Sequence, residues 1–159
     1  MDAFADFNVA TNLPIATITM RLFVAAALGA VIGIDREWRN RPAGLRTHML
    51  TALAAALFTV LTFEIVNSDM LEHENARADP IRVIEAVTAG VAFLAAGTII
   101  RGDRGVRGLT TGAGMWLAGS LGVAAGLGHF AIAALAAVFG AIVISLLGWA
   151  EAKVQGSDA

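Results

Sequence analysis

Apolar positions along the chain gather into five runs of about twenty residues, near 14–34, 48–66, 81–100, 109–127 and 130–149, separated by short polar connections. A helix of that length crosses a hydrocarbon core of ~30 Å. Each run is continuously apolar, which opposes a β-barrel, whose strands alternate. With no water in the bilayer core, a span must satisfy its own backbone, and a helix does so. The pattern predicts an all-α integral membrane protein, a five-transmembrane-helix bundle over residues 14–150. Pro14 suits a first helical turn, where its missing N–H is no loss. The fourth run is the weakest, because it holds five glycines.

The connections orient this bundle. Residues 35–47 carry four arginines and residues 101–107 carry three, whereas the connection at 67–80 holds Asp69, Glu72, Glu74 and Asp79 against Arg77 alone. By the positive-inside rule the first and third connections are cytoplasmic. The N-terminal residues 1–13 then lie in the periplasm and the tail 151–159 in the cytoplasm, with Trp149 as an interfacial anchor. Asp2 and Asp6 replace the basic start of a signal peptide, so the first run is expected to be a retained helix.

Composition sharpens the class. Of 159 residues, 57% are hydrophobic and 15% charged, with a mean hydropathy of +0.72; soluble domains carry about a quarter charged residues. The chain has no Cys, and its three His are scattered, so neither a disulfide framework nor a zinc site is expected. No metal, cofactor or nucleic-acid partner is expected. Nucleophile–base pairings and phosphate-binding loops are missing from the sequence, so neither is an enzymatic activity.

Small residues recur four apart at Gly29 and Gly33, at Ala92 and Ala96, and at Ala118, Gly122 and Gly126, and Gly97 belongs with them. Such faces let helix backbones approach, within one bundle or between two copies in a homodimer. An offset of 64 residues places Gly33 on Gly97, Gly44 on Gly108, Leu45 on Leu109 and Thr47 on Thr111. Two hairpins that each run outside to inside and back make a parallel repeat, followed by a fifth helix. The same offset sets Arg21 on Glu85. Each lies roughly 7–10 Å inside its span at 1.5 Å per residue. Charges at that depth face a partner or cavity, so the pattern predicts an Arg21–Glu85 ion pair.

Both basic connections end in Gly-Leu-x-Thr. The glycine allows the turn, the leucine re-enters the membrane, and the threonine is expected to cap the next helix. Helix starts beside arginines favour anions. Arg46, Thr47, Arg107, Thr110 and Thr111 are therefore candidates for a phosphate or anionic-lipid headgroup. A Mg²⁺ site on Asp35 and Glu37 is disfavoured, because the neighbouring arginines compete for both carboxylates.

The stretch from Leu28 through Gly33, Asp35, Arg36 and Glu37, followed by Arg41-Pro42-Ala43-Gly44-Leu45-Arg46-Thr47-His48, resembles the first signature of the MgtC/SapB family. Gly90 to Arg101 followed by Val106-Arg107-Gly108-Leu109-Thr110-Thr111 resembles its second. Arg21, Arg36, Glu37, Gly44, Leu45, Arg46, Thr47, Gly97, Arg101, Arg107, Gly108, Leu109 and Thr110 stand at motif positions. Asp35 stands where the family usually has Glu, Glu85 where many members have Gln, and Ala92 and Ala95 replace common glycines. Some members add a soluble C-terminal domain, which this chain is expected to lack. The resemblance implies a multi-pass protein of the bacterial inner membrane, linked to growth at low magnesium and, in pathogens, to virulence. It implies regulation of partners such as the membrane sector of ATP synthase. A small-ion transporter or channel and a structural membrane module remain alternatives.

Overall fold

The computed structural model describes residues 11–68, 79, 81–103 and 105–148. The N-terminal residues 1–10, most of the acidic connection, Arg104, Trp149 and the tail lie outside the described residues, and so do the expectations attached to them. Five α-helices form in chain order: α1 (Ile15–Trp38), α2 (Leu45–Val66), α3 (Ile81–Ala96), α4 (Leu109–Gly126) and α5 (Phe130–Ile142). A π-helical turn, Val143–Leu147, continues α5. Two of the helices, α1 and α2, are long and apolar enough to cross a membrane.

Helix ends follow from local chemistry. The carbonyl of Pro14 accepts from Thr17 and Ile18 and so opens α1. Asn40 closes it with φ of 50°. The Asn40 and Arg41 amides donate to Glu37 and Arg36 carbonyls, a paired closure built around one left-handed residue. Gly128, with φ of 84°, closes α4 in the same way; its amide and that of His129 donate to Ala125 and Ala124 carbonyls. At the start of α3 the Asp79 carboxylate accepts from the Ile81 amide at 2.9 Å.

The third run departs from expectation. Its helix stops at Ala96, and residues up to 107 form a short antiparallel hairpin, β1 (Ile100–Gly102) with β2 (Gly105–Arg107), in the register Ile100↔Arg107, Arg101↔Val106, Gly102↔Gly105. The fold is thus not purely α-helical. Gly97 followed by the β-branched Thr98, Ile99 and Ile100 gives up helix propensity while keeping the run apolar. The Thr98 hydroxyl donates to the Ala95 carbonyl at 2.7 Å, capping the last turn.

The weak fourth span is the centre of the molecule, because α4 packs against α1, α2, α3 and α5. Its glycines explain why. A Cβ on Gly122 would overlap the Ala52 carbonyl, and one on Gly126 would lie 2.7 Å from Thr59 Cβ. A Cβ on Gly119 would lie 2.9 Å from Val91 of α3. Between α1 and α2, Gly29 and Gly33 have the same role, with the His48 carbonyl 2.6 Å and Leu45 Cα 2.8 Å from their missing Cβ positions. Ala25, Ala52, Ala56, Ala118 and Ala125 fill the interior, while Phe23, Phe93 and Phe139 point outward. Small residues inside and large apolar ones outside is the pattern of helices packed in lipid.

Ala92, Ala96 and Gly97 do not belong to this interior. They are exposed, and α3 turns Val87, Val91 and Ala95 inward instead. The proposed repeat is matched where helices begin, since Gly44 and Gly108 stand immediately before α2 and α4. It is not matched at Gly33 and Gly97: the first packs inside α1, and the second lies past the end of α3.

Candidate functional site

Both arginine-bearing connections meet at one end of the bundle. The buried stripe of α1, Ala25, Gly29, Ile32, Gly33 and Arg36, carries the Arg36 guanidinium inward beneath the start of α4. Only 6% of Arg36 is exposed. Its Nη2 donates to the Thr111 hydroxyl at 2.7 Å. Its Nε is buried and finds no acceptor among the described residues.

The neighbouring carboxylates are otherwise engaged. Asp35 pairs with Arg39, one turn on, at 2.9 Å. Glu37 reaches over the connection and accepts from the Leu45 amide at 2.9 Å, so it supplies the cap of α2. Gly44 leaves room for that carboxylate, since a Cβ there would overlap Glu37 Oε2. The threonines therefore do not act as caps. Thr47 offers its carbonyl to the Thr51 hydroxyl, and Thr111 is committed to Arg36. Neither Gly44 nor Gly108, the residues before the two helices, can cap through a side chain. Gly108 has φ of 88°, in the left-handed region, and a Cβ there would overlap the Thr98 carbonyl.

Arg36, Arg39, Arg41 and Arg107 line a cleft of about 890 Å³, together with Thr110, Thr111 and the apolar Val106, Leu109, Val143 and Ile144. The last two belong to the π-helical turn, a distortion often found at functional positions. Of the residues singled out from sequence, Arg36, Arg107, Gly108, Leu109, Thr110 and Thr111 come together here, and Asp35, Glu37, Gly44 and Leu45 build the adjoining turn. Arg46 is exposed on α2, and Arg101 is exposed on β1 opposite Val106. Neither lines the cleft, nor does Thr47.

The Arg21–Glu85 pair does not form. Arg21 Nη1 donates to the Gly126 carbonyl at 2.7 Å, and its guanidinium lies 5.9 Å from the Phe63 ring centroid. The C-terminal carbonyls of α4, at the negative end of the helix dipole, satisfy the cation. Glu85 is exposed on α3, a helix that packs on α4 and α2 rather than on α1.

Several residues were not among the candidates singled out from sequence, although Arg41 and His48 stand in the first signature; Arg39, which lines the cleft, is another. His48 is fully buried; its Nδ1 lies 2.8 Å from the Gly44 carbonyl, and its Nε2 faces Gly114 without a partner among the described residues. Its helical spacing from the buried Ala52, Ala55 and Thr59 was the available signal. Glu64 accepts from the Asn12 and Leu13 amides at 2.6 and 2.9 Å, tying the entry of α1 to the end of α2. Arg41 sits beside an interrupted helix and gave no periodic signal. Among the described residues, no three His, Asp or Glu side chains gather to hold a metal ion.

The family model described as the MgtC family matches residues 22–153. Protein MgtC of Salmonella typhimurium is 40% identical over 111 residues, covering 70% of this chain and 44% of that protein. An uncharacterized protein of Synechocystis sp. is 39% identical over 116 residues, 73% of this chain and 46% of its own length. The Escherichia coli protein named "Putative magnesium transporter YhiD" is 32% identical over 131 residues, 82% of this chain and 60% of that protein. The chain thus spans about half the length of the curated relatives it matches. No solved structure matches it. By the extent of these matches, which run from Leu22 of α1 through α5, the chain belongs to the MgtC family.

Proposed function

We propose that this chain is a multi-pass protein of the bacterial inner membrane, with five spans, the N-terminus outside and the arginine-lined cleft in the cytoplasm. It acts without catalysis, by contact with another membrane complex during adaptation to low magnesium and, in a pathogen, during virulence. The membrane sector of ATP synthase is the first candidate partner.

The observation that carries this reading is the closed centre of the bundle. Backbones of α1, α2 and α4 meet at Gly29, Gly33, Gly122 and Gly126 so closely that a single added carbon collides. The buried hydroxyls in α2, Thr51 and Thr59, each donate to a carbonyl of their own helix at 2.8 Å. An interior so filled favours a partner outside over an ion inside. Crosslinking in membranes of magnesium-starved cells, followed by recovery of the chain, tests the reading. Recovery of ATP synthase membrane subunits is expected. Recovery of the chain crosslinked only to itself would contradict regulation by contact and favour a homo-oligomeric module.

A second reading, transport of a small ion, is favoured by the name of the Escherichia coli relative. It requires α4 to move away from α2, because Gly122 and Gly126 bring the two backbones into direct contact.

A further inference from the structure

We propose that the cleft between the end of α1, the start of α4 and the π-helical turn is a binding site for an anionic phosphoryl group. The buried, incompletely satisfied Arg36 and the uncapped start of α4 are what it would engage.

The first observation is the state of Arg36. A guanidinium taken out of water needs its donors satisfied, and an unpaired buried charge is costly. Here one donor is used by Thr111 and the buried Nε finds no acceptor among the described residues. Neither carboxylate flanking it in sequence accepts a hydrogen bond from it. Asp35 is bonded to Arg39, leaving its own Oδ2 buried without a donor among the described residues, and Glu37 is bonded to the Leu45 amide. With Asp35 set against Arg39, the cleft wall retains the charges of Arg36, Arg41 and Arg107.

The second observation comes from comparing the two helix starts. A helix N-terminus presents amides without intrahelical partners and the positive end of its dipole. At α2 the chain supplies an anion, the Glu37 carboxylate. At the repeat offset of 64 residues, Glu37 falls on Arg101, so the second unit has a cation where the first has its capping carboxylate. The residue before α4 is Gly108, which has no side chain to offer. Leu109, Thr110 and Thr111, whose amides open α4, all line the cleft with Arg36. One start is filled from within, and the other faces arginines.

The third observation is shape. A cleft of about 890 Å³ is far larger than a bare ion needs, and one wall is apolar through Val106, Leu109, Val143 and Ile144. Arginines that bind in a fork and exposed helix amides together suit a phosphate's several oxygens. Such a group can arrive as an anionic lipid headgroup, whose chains would pass along the apolar wall, or as free phosphate. This site would exist whether or not the bundle conducts ions, so its test is separate from that of the proposed function.

The test uses the full chain in nanodiscs, with two probes. One is inorganic phosphate added to phosphatidylcholine discs. The other is phosphatidylglycerol, compared with phosphatidylcholine alone and read by native mass spectrometry as retained lipid. Saturable binding of at least one probe is expected. Binding of the lipid only assigns a headgroup site, and binding of phosphate only assigns a soluble-anion site. Arg41→Gln with Arg107→Gln, both exposed positions, should weaken it by about tenfold or more, the scale of a charge-assisted hydrogen bond. Arg36→Met should do the same; should that variant fail to fold, the Arg41/Arg107 pair decides. Arg46→Gln with Arg101→Gln removes equal charge outside the cleft and should leave binding unchanged. No saturable binding of either probe, or equal loss in both double variants, would overturn the site.

Discussion

Arg21 lies in the second turn of α1, and its position shows how a charge within an apolar helix is accommodated. The Gly126 carbonyl accepts its proton at 2.7 Å, and Phe63 lies under the guanidinium. Replacing Arg21 by Ala should cost about 1–3 kcal/mol, the worth of a hydrogen bond to a charged group. Glu85→Ala should leave the thermal midpoint in detergent where it was, because that carboxylate is exposed. Exchanging the two residues should not restore what Arg21→Glu loses; a rescued midpoint would mean that the two side chains meet after all. The sequence made both charges visible as anomalies. It could not show that a helix C-terminus, rather than an opposite charge, would satisfy the cation, because backbone carbonyls carry no residue signature. Arg36 was no more legible: the apolar run ends at Ile34, which put Arg36 in the connection, whereas α1 continues to Trp38 and carries it on the stripe of Gly29, Ile32 and Gly33.

At the scale of elements, the glycine contacts of α4 and the turn at Gly108 hold the fold together and shape the cleft. Gly122→Ala places a carbon onto the Ala52 carbonyl, and the overpacking should lower stability by about 1–3 kcal/mol. Gly90→Ala on α3 meets nothing within 4 Å and should be neutral or stabilising by up to ~1 kcal/mol through helix propensity. Unfolding midpoints of the two variants in the same detergent check both, and equal effects would contradict the packing described. The five helices were readable from apolar runs alone. The β1–β2 hairpin was not, since Ile99 and Ile100 extend the apolar run past the end of the helix, and hydropathy does not distinguish a strand from a last helical turn. The small-residue rule located the inner faces of α1 and α4 but misplaced that of α3. Ala92 and Ala96 have the right spacing on the wrong side, and the inward stripe is Val87, Val91 and Ala95. Gly-Leu-x-Thr marked both helix starts, while the cap of α2 came from Glu37, several residues earlier, through a tertiary contact that spacing does not reveal.

For the whole molecule, orientation and conduction can each be measured directly. The chain has no Cys, so a single introduced cysteine reports without background. Asn67→Cys, at the end of α2, should react with an impermeant maleimide on intact spheroplasts, and Arg46→Cys, at its start, only after lysis. The reverse pattern would place the arginine-lined cleft outside. We propose that a bundle closed by backbone contacts between α1, α2 and α4 works on partners and does not pass an ion. Magnesium uptake into proteoliposomes holding only this chain tests it most directly. Uptake no faster than in protein-free vesicles is expected across a range of protein loadings, whereas uptake that rises in proportion to the loading would mean that the bundle conducts.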